Sequence, residues 1–296
     1  MPPYPGSATG RSTPMSIQNP TRSIPLRRAE SAGNRVEQTR LFEVLARAGF
    51  VARGVIYGIV GVLAVKLAIG AGGKATDQSG ALKTIAHQPF GEVMLVLVAI
   101  GLAGYSLWRL LHALLGHGPE KSDSKFDRLA ALGSGIAYGV ICAIAVKILL
   151  ASGSGKGTSG SASKAAGGVL GWPGGVWLVG IAGAVVIGIA LYQAFRGVTT
   201  DFLKDAKTEQ MSETTRHWYT RIAIVGHLAR AVVFGLIGIF FIKAAVDYNP
   251  NKAVGLDGAL AKLANQSYGS VLLGVVASGL VAFAIYSLAD ARYRRI

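Results

Sequence analysis

The sequence has few of the residues that a soluble globular domain needs. Only 15% of its 296 residues are charged, whereas soluble domains carry about 25% charged residues. One cysteine excludes a disulfide-stabilised scaffold, and fifteen acidic residues against thirty basic ones exclude an acidic binding protein. Hydrophobic residues make up 51% of the chain, which excludes a protein that is disordered throughout.

The sequence is instead rich in glycine, with 40 residues, and in positive charge, with a net value of +15. A charge of this size is typical of proteins that bind nucleic acid and of proteins that lie in a membrane. The positions of the basic residues along the chain distinguish these two classes.

Long apolar stretches dominate the chain after its first part. Residues 1–38 are rich in Pro, Ser, Thr and Arg without apolar periodicity, which predicts a disordered basic tail. Six apolar stretches follow, each close to the ~20 residues that a helix needs to cross a hydrocarbon core. They lie at about 50–70, 92–114, 129–150, 172–195, 222–245 and 270–289. The sequence therefore predicts an all-α polytopic membrane protein with six transmembrane helices.

The basic residues between these stretches predict an orientation. Eighteen lie in the tail, in the second and fourth connections and at the C-terminus, against six in the other three connections. The positive-inside rule then places both termini of this multi-pass membrane protein in the cytoplasm. Most of the charge is explained by topology, so that no basic surface remains for nucleic acid.

The six stretches form three copies of one hairpin, which predicts the units 39–116, 117–198 and 199–296. The first helix of each copy carries an aromatic–glycine pair nine residues before a lysine: Tyr57-Gly58 before Lys66, Tyr138-Gly139 before Lys147, and Phe234-Gly235 before Lys243. The second helices end on similar segments that contain Tyr105, Tyr192 and Tyr286. Because each copy crosses twice, all copies share one orientation, which predicts a pseudo-threefold bundle.

Small residues recur at equivalent positions four apart in the three first helices. These residues are Gly54, Gly58, Gly135, Gly139, Ala231 and Gly235. Small residues at this spacing let helix backbones approach closely in lipid, where packing replaces the hydrophobic effect as the driving force. We therefore interpret them as helix-packing residues.

The repeated segments resemble a bacterial membrane family catalogued as domain of unknown function 1206. The resemblance lies in ARAGFVARGVIYGIVGVLA, in the GAL…PFG connection, in GLAGYSLWR and in the closing ARYRRI, and it covers roughly residues 45–296. Copy two departs from the pattern in its connection and at Ser134. The resemblance implies three two-helix units in a bacterial inner membrane, and it implies no activity.

The repeated lysines Lys66, Lys147 and Lys243 lie about one turn inside the outer ends of apolar helices. Two interpretations stay open. The ammonium groups extend to headgroups at the membrane surface, where a lysine is least costly, or they surround the pseudo-axis and hold an anion. Arg53 and Arg230, at the opposite ends of their helices, extend to lipid phosphates or contact a substrate.

No arrangement of residues in the sequence indicates a catalytic, metal or cofactor site. The sequence favours a non-enzymatic protein that organises the membrane, binds lipid through anionic headgroups, or acts as a scaffold for partners. The alternative is a small transporter or channel for an anionic or small polar solute along the pseudo-axis. Mid-helix positions are mostly Ala, Val, Leu, Ile and Gly, which counts against proton-coupled transport.

Overall fold

The computed structural model of the chain describes residues 40–115, 125–150 and 161–295. The predicted tail, residues 1–38, lies outside these ranges. Within them the chain is helical, apart from turns and one isolated antiparallel bridge between Ala206 and Arg294. The helices are α1 (Arg40–Ala68), α2 (Gln78–Ala86), α3 (Gly91–Leu115), α4 (Lys125–Leu150), α5 (Ser161–Leu170), α6 (Gly175–Thr199), α7 (Glu213–Val246), α8 (Leu256–Ala264) and α9 (Gly269–Tyr293).

Six of these helices, α1, α3, α4, α6, α7 and α9, are long and apolar enough to cross a membrane. This confirms the predicted all-α fold of six spans. The helix that differs most from expectation is α7, whose 34 residues begin at Glu213. At 1.5 Å per residue it is ~51 Å long and exceeds a hydrocarbon core of about 30 Å.

The hairpins α1–α3, α4–α6 and α7–α9 are the three repeats, and each is connected through a short helix, α2, α5 or α8. We call the side of the bundle that carries these short helices the connection side. We call the opposite side, where α1 begins and α9 ends, the termini side. All three repeats run in the same direction between the two sides, as a pseudo-threefold bundle requires.

The six long helices form a ring that is open at one place. The most extensive interfaces join each repeat to the next, through α3 with α4, α6 with α7, and α9 with α1. Within the first and third repeats, α1 packs on α3 and α7 packs on α9. In the second repeat α4 and α6 hardly touch, and both are largely exposed, with about 22% of each span buried. We call this gap the lateral opening.

Glycines account for the closed hairpins of the first and third repeats. Gly49 of α1 lies directly against the Tyr105 Cβ of α3, and a Cβ on Gly226 of α7 would lie 2.7 Å from the Phe283 Cα of α9. Neither position has room for a side chain. The equivalent residue of the second repeat is Ala130, whose methyl group does not allow the same approach.

In each closed hairpin the second helix also contributes a glycine at the point where the two helices cross, which we call the crossing. A Cβ on Gly101 would lie 2.7 Å from the Ala48 carbonyl oxygen, and Gly279 lies directly against the Ala229 Cβ. The equivalent residue of α6 is Val185, which is 57% exposed. The lateral opening therefore coincides with the loss of both crossing glycines in the second repeat.

These crossings also determine which residues of α3 and α9 occupy equivalent positions in the repeat. Gly49 and Gly226 are equivalent, so their partners Tyr105 and Phe283 are equivalent as well. The sequence comparison had paired Tyr105 with Tyr286, one helical turn away, because both precede a Ser-Leu pair. That pairing is wrong, because the closely packed glycines, and not the similar tripeptides, determine the depth of each helix.

The interfaces between repeats reuse one contact three times. A small residue of each first helix faces a small residue of the neighbouring second helix: Gly58 faces Ala284, Gly139 faces Ser106, and Gly235 faces Ala190. One turn earlier, an added Cβ on Gly54 or Gly135 would lie 2.9 Å from Leu288 or Leu110, respectively. Their counterpart in α7, Ala231, is half-buried.

Candidate functional site

Arg53 of α1 lies inside the protein on the termini side. Only 5% of the residue is exposed. Its guanidinium donates to Ser287 Oγ at 3.0 Å, to Tyr105 Oη at 3.1 Å and to Asp290 Oδ2 at 3.3 Å. The interpretation that Arg53 extends to lipid phosphates does not agree with this structure, because its donors face neighbouring helices.

Asp290 of α9 receives three donors and is fully buried. Besides Arg53, its carboxylate accepts from Arg294 at 3.3 Å and from the Tyr219 hydroxyl at 2.6 Å. A carboxylate out of water needs paired charges and hydrogen bonds of this kind. Asp290 thereby joins α1, α7 and the end of α9 at one point.

A second aspartate, Asp205, extends the network into the connection between α6 and α7. It accepts from Arg196 of α6 and, at 3.2 Å, from Arg294. The backbone pairs here too, since Lys207 N donates to the Tyr293 carbonyl and Arg295 N to the Asp205 carbonyl. The closing segment of the chain is thus fastened to the connection between the second and third repeats.

The network carries more positive than negative charge. Its cations are Arg53, Arg109, Arg196, Arg294 and, joined to Arg53 through the Phe283 ring, Arg230; its anions are Asp205 and Asp290. We call these five arginines the arginine cluster. Other carboxylates nearby are paired with separate bases: Glu43 with Arg47, Asp201 with Lys204, and Glu209 with Arg295. The described residues therefore leave an excess of three positive charges.

Arg109 and Arg230 are the members of the cluster without a carboxylate partner in the described ranges. Arg109 donates to Tyr105 Oη at 3.2 Å and lies over the Trp108 ring. Arg230 lies 4.3 Å from the Phe283 ring centroid, and the Gln193 side-chain amide lies beside its guanidinium. The amide oxygen is assigned to the position that faces the guanidinium, where it accepts at 2.9 Å, because the nitrogen there would meet only donors. Both side chains are half-buried, so each is partly shielded from water.

Two equivalent rings connect three of these arginines. Arg109 and Arg53 both donate to the Tyr105 hydroxyl, and Arg53 and Arg230 both lie over the Phe283 ring. Cation–π contacts of this kind stabilise a guanidinium that is removed from water, although more weakly than a carboxylate does. The three cations therefore form an arc across the termini side.

His227 of α7 is a further buried polar group beside the cluster. It is 5% exposed, it stacks on Phe202, and neither ring nitrogen has a hydrogen-bond partner within the described structure. Nothing in the sequence distinguished this histidine, because its surroundings come from three separate parts of the chain.

The three repeated lysines lie outside the bundle. Lys66, Lys147 and Lys243 are all exposed. Each follows the aromatic residue of its helix by nine positions, about 180° around the helix at ~100° per residue, and those aromatic residues face the interior. The interpretation of three ammonium groups around the pseudo-axis is therefore wrong, and the structure agrees with side chains that extend outward.

A polar pocket of about 460 Å³ lies on the connection side, between α2 and the start of α8. Lys74, Lys83, Asp77 and Asp257 are among its lining residues. Burial, together with the charge of Asp257, raises the pKa of Asp77 above its ordinary value, against the hydrogen bond from Gly80 N at 2.8 Å. Its cations and anions are balanced, in contrast to those of the arginine cluster.

No metal site is evident within residues 40–115, 125–150 and 161–295, where no three His, Cys, Asp or Glu side chains come together. The sequence reasoning missed Asp290 and Asp205, which order the cluster. One signal was present, since Asp290 is the first ionisable residue after a long uncharged stretch from Lys262. Its position directly after an apolar stretch marks the end of a span and does not indicate Arg53 as its partner.

The three repeats match a known protein family. A family model described as Domain of Unknown Function (DUF1206) matches residues 48–116, 129–200 and 225–294. The chain is 36% identical over 253 residues to an uncharacterized protein of Bacillus subtilis (strain 168), YxxB. That match covers 84% of this chain and 90% of the relative. No solved structure matches.

Proposed function

We propose that this chain, which belongs to the family described as Domain of Unknown Function (DUF1206), is a non-enzymatic membrane protein that binds anionic lipid headgroups. The observation that carries the proposal is the arginine cluster, in which five guanidinium groups are accompanied by two carboxylates, which pair with only three of them. A cation removed from water needs a counter-charge. In a membrane, the most abundant source of such a charge is the anionic headgroup.

The orientation of the basic residues supports this assignment. The sequence has eighteen basic residues in its N-terminal segment, its second and fourth connections and its C-terminal segment, against six in the other three connections. We infer that the termini side faces the cytoplasm of a bacterial cell, where the inner-leaflet anionic lipids attract basic residues by about 1 kcal/mol each. The arginine cluster then lies at the depth of the cytoplasmic leaflet.

Packing along the pseudo-axis favours lipid binding over transport. Tyr57, Phe283 and Leu280 fill the axis next to the cluster, and the cavity between Tyr57 and Arg230 measures about 10 Å³. Such a space holds about one water molecule. A transporter of the alternative class would instead be expected to have broken helices and polar residues at mid-membrane.

The experiment compares lipids at constant protein. The purified chain is reconstituted in nanodiscs of phosphatidylcholine alone or with 30% phosphatidylglycerol, and thermal unfolding and retained lipid are measured by fluorescence and native mass spectrometry. Headgroup binding is expected to raise the melting temperature in the anionic discs and to retain phosphatidylglycerol selectively. Equal melting temperatures without selective retention would refute the proposed function.

A further inference from the structure

The lateral opening exposes a position that the other repeats bury. Tyr105 and Phe283, which face the pseudo-axis from α3 and α9, are 1% and 0% exposed, whereas the equivalent Ile189 of α6 is 44% exposed. The difference arises because α4 does not pack on α6. The axis is therefore closed on two sides and can be reached from the side between α4 and α6.

Two tyrosines at the inner end of this opening have hydroxyl groups without partners. Tyr57 of α1 and Tyr138 of α4 are 5% and 9% exposed. Within the described ranges neither hydroxyl makes a hydrogen bond, and neither oxygen is among the buried polar atoms that lack a partner, so both hydroxyls are accessible to a ligand. The two residues occupy the same position in successive repeats. Both rings pack beside the arginine cluster, Tyr138 on Tyr105 with 4.6 Å between ring centroids and Tyr57 on Phe283 with 5.0 Å.

Arg230 completes the group from the third repeat. Its guanidinium lies 5.3 Å from the Tyr57 ring centroid and 4.3 Å from that of Phe283. Arg53 also lies over the Phe283 ring and donates to the hydroxyl of Tyr105, the ring on which Tyr138 packs. No carboxylate pairs with it in the described part of the chain, and its side chain is half-buried. The guanidinium of Arg230 and the hydroxyl groups of Tyr57 and Tyr138, one group from each repeat, thus lie around one aromatic cluster. No carboxylate of the described residues pairs with Arg230 there.

From this convergence we propose that Tyr57, Tyr138 and Arg230 bind one anionic oxygen group, a phosphate, that reaches them through the lateral opening. This inference rests on the proposed function and gives it a location. Hydroxyl and guanidinium groups donate to a phosphate oxygen in charge-assisted hydrogen bonds. The positive charge of Arg230 and the neighbouring Arg53 excludes cationic groups from the same place.

The surroundings fit a phospholipid better than a large polar solute. The cavity beside Arg230 and Tyr57 measures only about 10 Å³ and is lined from α1, α2, α7, α8 and α9, so the ligand lies in the lateral opening and not in this cavity. The exposed faces of α4 and α6 beyond it are apolar, with Ile136, Val140, Ile181 and Val185 all more than half exposed. Acyl chains are the partners that such faces accept within a membrane.

The test removes the hydroxyl groups and leaves the rings in place. Y57F, Y138F and the double variant are placed in the nanodiscs described above, with R230Q as an independent variant. Loss of each hydroxyl is expected to weaken phosphatidylglycerol retention by about tenfold, because a hydrogen bond to a charged group is lost. The matched control is Y268F, since Tyr268 is 78% exposed and lies on the connection side.

A second arm separates lipid from free phosphate. Inorganic phosphate is titrated into phosphatidylcholine discs, and the melting temperature is followed. No response to phosphate, with retention of phosphatidylglycerol lost in the double variant, supports the lipid headgroup as the ligand. A response that the double variant abolishes supports the same site with a free anion.

Two results would overturn the inference, and they are distinguishable. Unchanged retention of phosphatidylglycerol in the double variant and in R230Q would overturn the site while the proposed function stands. If the parent chain neither prefers phosphatidylglycerol nor responds to phosphate, both the function and the site are overturned. Because the Tyr-to-Phe changes keep the packing, the test remains decisive if R230Q does not fold.

Discussion

Arg53 in the first long helix and Asp290 in the last one form a buried ion pair, with the guanidinium nitrogen and the carboxylate oxygen 3.3 Å apart. The two residues are 237 positions apart. Their side chains are 6% and 1% exposed. This pair closes the ring of helices on the side opposite the lateral opening, so that the first and third repeats are held together although the second repeat is open.

Removal of the Asp290 charge is expected to destabilise the protein strongly. In D290N, Arg53 and Arg294 lose a buried carboxylate, and a buried charge without its partner typically costs about 3–5 kcal/mol. Thermal unfolding in detergent measures the loss. The matched control is D247N, because Asp247 and Lys252 form an exposed pair that is worth about 1 kcal/mol or less. Equal melting temperatures for the two variants would show that the buried network does not stabilise the ring.

A methyl group at a crossing glycine is expected to separate a hairpin. In G226A the new Cβ would lie 2.7 Å from the Phe283 Cα of α9, and overpacking of this kind costs about 1–3 kcal/mol. G133A provides the control, since nothing lies within 4 Å of a Cβ at Gly133 of α4. We expect a lower melting temperature for G226A only. A G133A effect of the same size would argue against close packing as the cause.

Replacement of the three repeated lysines should leave lipid selectivity intact. Lys66, Lys147 and Lys243 are exposed and lie away from the arginine cluster, and exposed substitutions usually change stability by about 0.5 kcal/mol or less. The triple Lys-to-Gln variant is therefore expected to retain phosphatidylglycerol as the parent chain does. Loss of selectivity would instead assign headgroup binding to the lysines.

Acidification should stabilise the connection side through Asp77. The pKa of this carboxyl is raised in the folded protein, chiefly by burial, so the folded state binds its proton more tightly than the unfolded state. Stability from this group is fully present below the ordinary aspartate pKa and is lost as the pH rises through the raised value. We expect the melting temperature of the parent chain to increase with acidification across that interval.

The control for this pH effect is D77N, which keeps an acceptor for the Gly80 N–H at the start of α2 but has no charge to titrate. Its melting temperature is expected to vary less with pH over the same interval. A parent and a variant with parallel pH profiles would show that another group is responsible.

Local patterns in the sequence were sufficient for the spans and the repeats. Apolar length predicts the six helices, and the small residues four apart, such as Gly58 and Gly139, lie in the interfaces between repeats. These properties depend on neighbours within one helix. Helix geometry likewise places Lys66 opposite Tyr57, but it does not determine which of the two faces the interior.

The arginine cluster could not be derived in this way. Its ordering carboxylates, Asp205 and Asp290, reach Arg53 only through contacts between distant segments. The open hairpin had a local signal, the substitution of glycine by Ala130 and Val185 in the second repeat. The substitution predicts an open hairpin only once the structure shows that the corresponding glycines, Gly49 and Gly101, lie where α1 and α3 cross.

The distance along the chain between Arg53 and Asp290 has a consequence for synthesis. At 5–20 residues per second, a ribosome needs roughly 12–47 s to make the 237 residues that separate them. During that interval the nascent chain contains the arginine of α1 without the carboxylate of α9. The last helix thus neutralises a charge that entered the membrane with the first, and every shorter nascent chain must solvate Arg53 by other means.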